Sequence, residues 1–133
     1  LGQAIELLSE DTRAPRIEAR HLALELLLCL TERRNAKKAV DILSRFSKKR
    51  DELIYQLSEI EAAIRDLILT KKCESAPLCF FVAEEEAFEI AYNFKLTTLL
   101  KIFESVGRAK SSLNINGNVR LTLFALFADI GLL

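Results

Sequence analysis

The chain has no tryptophan, no methionine, two prolines, four glycines and one histidine in 133 residues. Each shortage removes a class of reading. A lone histidine, His21, on an apolar helix makes metal centres built from several imidazoles or from a histidine–cysteine cluster implausible. The glycines Gly2, Gly107, Gly117 and Gly131 are all isolated. The chain therefore has no phosphate-cradling P-loop, no dinucleotide-binding glycine turn and no nucleophile elbow. Three cysteines, Cys29, Cys73 and Cys79, are an odd number without a CxxC pair. Cys29 lies in an apolar helix and reads as a small buried hydrophobe. Cys73 and Cys79 flank a proline-containing loop and could bridge, but reduced thiols in a cytoplasmic protein are the expectation. No apolar run approaches the roughly 18 residues of a membrane span, and no signal-peptide pattern is present. Nineteen basic and nineteen acidic residues cancel. Global charge thus gives no reason to expect nucleic acid or an anionic membrane as a partner.

What is present is a strong helical signal in a chain that is half hydrophobic. Residues 1–10 read as the last turns of a helix, starting without an initiator methionine, as in a fragment of a longer protein. Residues 11–15 read as a break, with Pro15 in the first turn of the next helix, where its missing N–H is not needed. That helix, about 15–33, carries Ile17, Leu22, Leu24, Leu26, Leu27, Leu28 and Leu30, an apolar arc wide enough to predict a central position. Asn35 reads as the N-cap of a shorter helix over about 36–47, with Ala39, Val40, Leu43 and Phe46 inward. The clearest pattern is 48–72, roughly 36 Å of helix, with Leu53, Ile54, Leu57, Ile60, Ile64, Leu67 and Ile68 in one stripe and Glu52, Glu59, Glu61, Arg65 and Asp66 on other faces. Residues 73–83 are a connector whose run Leu78–Val82 is either a strand or a tucked-in loop. Helices follow over about 84–93 and 95–114, the second with the stripe Leu96, Leu99, Leu100, Phe103, Val106, Ala109 and Leu113. The last helix carries Val119, Leu121, Leu123, Phe124, Leu126, Phe127 and Ile130. The expected fold is all-α, a bundle of five to six helices with short connections.

Reactive chemistry is scarce. His21 sits on an apolar helix and reads as a partly buried helix residue. Glu84, Glu85, Glu86 and Glu89 read as a solvated helix start, where acids oppose the positive end of the macrodipole. Arg33, Arg34, Lys37, Lys38, Arg45, Lys48, Lys49 and Arg50 stand against the single acid Asp41. They read as a solvated surface or, functionally, as a patch for phosphates or an acidic partner. Only Phe46 interleaves with them, so base stacking is not indicated. Between the last two helices, Asn118 reads as an N-cap, Gly117 as a residue with positive φ, and Asn116 as the closure of the preceding helix. No catalytic residue, cofactor site, metal site or small-molecule substrate is indicated.

Two segments resemble a known family. One is Ile64-Arg-Asp-Leu-Ile-Leu-Thr-Lys71. The other is Ala109-Lys-Ser-Ser-Leu113-Asn-Ile-Asn116-Gly-Asn118-Val-Arg-Leu121-Thr-Leu123. They are similar to the C-terminal collar domain of the delta-prime subunit of bacterial DNA polymerase III clamp loaders. Leu1-Gly-Gln-Ala-Ile-Glu-Leu7 is similar to the end of that family's AAA+ lid, although Gln3 replaces the arginine that senses nucleotide in many relatives. The resemblance implies a lid remnant over 1–10 and an oligomerisation domain over 11–133. It also implies gamma/tau and delta subunits as partners in a hetero-oligomer, contact with DNA and the sliding clamp only through other domains, no enzymatic role for this segment, and nucleotide hydrolysis by other subunits. The collar of the related gamma/tau subunit is the alternative within the family, and a helical protein-binding adaptor the alternative outside it. Arg120, Leu121, Phe124 and Phe127 are the candidate interface, on the expectation that an interface has an apolar centre and a polar rim.

Overall fold

A computed structural model describes residues 2–31, 36–73 and 77–132. Six α-helices account for the regular structure, and no strand occurs among the described residues: α1 (Gly2–Thr31), α2 (Ala36–Arg45), α3 (Arg50–Lys71), α4 (Glu84–Tyr92), α5 (Leu96–Asn114) and α6 (Val119–Asp129). The all-α expectation holds. Asn35, the expected cap of α2, lies outside the described residues, as do Arg33 and Arg34.

The break expected at 11–15 is absent, because α1 runs unbroken through Pro15 for 30 residues. A proline inside a helix removes one i→i−4 bond and crowds one carbonyl. Here a single rung is lost between stretches of alanine, arginine and glutamate, which favour helix on both sides.

The centre of the bundle is α3, against which α1, α4 and α5 all pack. Leu53, Leu57, Ile60, Ile64 and Leu67 are buried as their spacing requires, with Ile54 and Ile68 half-buried at the margins. The broad apolar arc of α1 does not make it central: Ile17 and Leu28 are exposed, while Leu22, Leu26 and Leu27 enter the core. His21 is exposed rather than partly buried. In α2, Val40 is exposed and Ile42 takes the inward place assigned to it. In α5, Leu100 and Phe103 face outward, and Ile102 completes the inner face with Leu99, Val106, Ala109 and Leu113. In each helix the period is right and the centre of the buried arc is rotated, because the partner helices set its direction.

The connector between α3 and α4 is a tucked-in loop, and Asp66 explains how it is held. Asp66, placed by the sequence off the apolar stripe, is completely buried. Its carboxylate accepts the backbone N–H groups of Cys79 at 2.9 Å, Phe80 at 2.7 Å and Phe81 at 3.1 Å, and Arg65 Nη1 at 3.2 Å. Successive N–H groups turned inward form a concavity suited to an anion, filled here by the protein's own side chain. Phe80 and Phe81 then enter the core with rings edge-on, centroids 4.9 Å apart. Arg20 of α1 donates to the Phe80 carbonyl and lies over the Phe80 ring, 4.6 Å from its centroid. One loop thereby joins α1, α3 and α4. No disulfide joins the three cysteines; Cys29 is buried, and Cys73 and Cys79 are exposed.

Candidate interaction cleft

The turn between α5 and α6 is built from the three residues Asn116, Gly117 and Asn118, but they divide the work differently from the sequence expectation. The positive φ belongs to Asn116 (64°), not Gly117. Asn116 N–H donates to Leu113 O at 3.3 Å and Gly117 N–H to Ser112 O at 2.7 Å. These two bonds form the Schellman closure, with asparagine in the left-handed position after the helix. Gly117 is needed for a different reason: a Cβ there would stand 2.7 Å from the Ser112 carbonyl oxygen and 2.3 Å from its Oγ. Asn118 is the N-cap of α6, its side chain accepting the Leu121 N–H at 3.0 Å. Asn118→Ala should lower the unfolding free energy by about 1 kcal/mol, the usual worth of such a cap. Unchanged denaturant midpoint and slope in this variant would remove the capping role.

Arg50 secures the same turn from α3. Its Nη1 donates to Leu113 O at 2.7 Å and Gly117 O at 2.9 Å. A guanidinium placed on carbonyls at the C-terminal end of α5 also meets the negative end of that helix's dipole. Arg50 is therefore a structural clasp, not a free member of a basic patch. Arg50→Met, which keeps most of the stem and removes the donors, should cost about 1.5 kcal/mol in urea denaturation. A loss below a few tenths would show that water replaces the clasp.

Beside the turn, α2 and α6 leave a half-open cleft of about 850 Å³. Val40 and Leu43 of α2 face Leu123 and Phe124 of α6 across it, and Lys48, Arg50 and Arg120 supply its charge. Among the described residues, its lining has three basic side chains, no acid, no histidine and no cysteine. Such a lining can hold an apolar group flanked by anions.

The candidate residues separate in space. Phe124 (44% exposed) and Arg120 line the cleft, and Leu121 (68% exposed) lies on the adjoining outer surface of α6. Phe127 is fully buried, its ring edge-on to Phe46 with centroids 5.8 Å apart, so it belongs to the core and not to an interface. The basic series does not form one patch. Lys37 and Lys38 are exposed at the start of α2, Lys48 and Lys49 are exposed beyond its end, and the 10 residues of α2 put about 15 Å between these pairs. Arg45 pairs with Glu25 and Asp41. Sequence reasoning missed that Val40 and Leu43 would stand opposite Phe124; no pattern within α2 could reveal it, since α6 is distant in the chain.

Among the described residues, no group of three or more histidine, cysteine, aspartate or glutamate side chains could hold a metal ion, and no helix is long and apolar enough to cross a membrane. Comparison with known proteins gives no matching family model, no similar curated protein and no similar solved structure.

Proposed function

We propose that this chain is an assembly domain, of the kind that holds the subunits of a bacterial clamp loader in a collar, with a delta-prime-like place among gamma/tau and delta subunits in the cytoplasm. DNA and the sliding clamp would be reached through other domains of the assembly. The observation that carries the reading is the division within the segment 109–123. Ala109, Leu113 and Leu123 are buried, Asn116 and Asn118 close and cap helices, and Leu121 alone among its apolar signature positions stands 68% exposed, next to exposed Phe124. Isolated exposed apolar residues are ordinary on any surface. Two on one helix, beside an apolar cleft and in the part of the chain that carries the family resemblance, are what a subunit contact would cover.

The test is capture of the intact protein from its own cells, followed by mass spectrometry of the recovered complexes, with and without Leu121→Glu plus Phe124→Glu. Both positions are exposed, so the paired change leaves the core intact, whereas deleting 95–133 would remove α5 from its packing on α3. The expected result is recovery of the other clamp-loader subunits with the unaltered protein and at least a tenfold reduction with the variant. Recovery without those subunits, or undiminished recovery with the variant, would overturn the reading.

A further inference from the structure

The outward face of α4 carries two large exposed aromatic side chains. Phe88 is 65% exposed and Tyr92 77%, one helical turn apart. Glu84, Glu85, Glu86 and Glu89 are exposed on the same helix, and no basic residue falls within Glu84–Tyr92. Two aromatic side chains framed by carboxylates are the chemical inverse of the α2–α6 cleft, whose apolar walls are framed by Lys48, Arg50 and Arg120 without an acid.

The two features cannot meet within one chain. Arg50 opens α3 beside the cleft, while the connector leading into α4 is pinned on Asp66, sixteen residues further along the same helix, about 24 Å away. α5 returns antiparallel to α3, with Lys110 Nζ bonded to Glu61 at 2.9 Å and Leu113 bonded to Arg50, so its start, just after α4, lies at the end of α3 remote from the cleft. The cleft and the acidic-aromatic face thus occupy opposite ends of the bundle.

From this opposition we infer that the cleft binds the α4 face of a second copy of the chain, Phe88 and Tyr92 entering between α2 and α6 while the glutamates meet Lys48 and Arg120. An amphipathic helix laid in an apolar groove, with anchors one turn apart, is a common recognition mode. The charges would select the partner and its direction. The contact is head-to-tail, since different surfaces meet, and each copy keeps one cleft and one α4 face to offer. The inference does not rest on the collar reading, which needs different proteins as partners, although both place a partner on Phe124.

The test is sedimentation equilibrium of the 133-residue chain alone at low and moderate salt, with three further samples: Phe124→Glu, Phe88→Glu, and an equimolar mixture of the two. Both altered residues are exposed, and circular dichroism is to show that each variant keeps its helices. The chain should associate reversibly, with the apparent dissociation constant rising at least tenfold as salt is raised. Each variant should be monomeric alone. The mixture should form dimers and nothing larger, because one chain retains an intact cleft and the other an intact α4 face. The charge-altered Arg120→Glu, which does not touch the apolar walls, should weaken association in the same direction. A chain that is monomeric at all concentrations, variants that still associate alone, or a mixture that stays monomeric would each overturn the inference. A monomeric chain whose intact protein is still recovered with other clamp-loader subunits would leave the assembly reading standing and remove this one.

Discussion

Asp66→Ala should be among the most damaging single changes in the molecule, lowering the unfolding free energy by about 4 kcal/mol. The carboxylate is fully buried and accepts three consecutive backbone N–H groups, from Cys79, Phe80 and Phe81. Hydrogen bonds to a charged group contribute more than neutral ones, and a buried donor left without a partner costs its desolvation in full. In the alanine variant three donors lose their acceptor together. The effect should spread, because the same loop places Phe80 and Phe81 in the core and provides the carbonyl that Arg20 grips from α1. Asp66→Asn should be intermediate: an amide keeps one acceptor oxygen and points an NH2 at donors that need an acceptor. Denaturant titration followed by circular dichroism measures both. A loss below 1 kcal/mol for the alanine variant would show that the loop's N–H groups find water, and that Asp66 does not hold the connector.

Phe127→Ala should cost about 4 kcal/mol, whereas Phe124→Ala, three residues earlier, should cost under 1 kcal/mol in the isolated chain. Phe127 is completely enclosed and meets the Phe46 ring edge-on, so its removal loses both transfer energy and an aromatic contact and leaves a cavity between α2 and α6. Phe124 keeps 44% of its surface in water at the rim of the cleft. The pair therefore separates stability from association. Thermal and denaturant unfolding should respond to the first substitution, and recovery of partners to the second. Equal destabilisation by the two would mean that α6 is rotated relative to the arrangement described, and would remove the basis for an interface on its outer face.

The contrast between these two phenylalanines shows where reading from sequence stops. α6 is apolar on almost every side, so its period carries no direction, and Phe124, Phe127 and Leu121 look alike along the chain. Only the positions of α2 and α5 separate them. Arg50 is a similar case: within a run of lysines and arginines it looks like solvated charge, and its role depends on the end of α5, more than sixty residues away, arriving within hydrogen-bond distance. Asp66 looks like any acid beside an apolar stripe until the connector folds back over it. Gly117 shows the reverse situation. Its necessity was legible, but the cause was not: the constraint is the space beside Ser112, and Asn116 adopts the left-handed backbone instead.

Local chemistry was enough for most of the helices, though not for the continuity of α1 through Pro15. The 3.6-residue period of 50–71, the acids opening α4 and the asparagine cap of α6 each act within a few residues, and each can be read from neighbours in the chain. The all-α class follows from them. Burial, by contrast, is a property of pairs of helices. α3 became the centre in place of the more apolar α1, Asp66 went inside, and Phe127 went inside while Phe124 stayed at a cleft. Each of those outcomes was settled by contacts between segments far apart in the chain, because a helix specifies the spacing of its side chains but not the direction from which its neighbours approach.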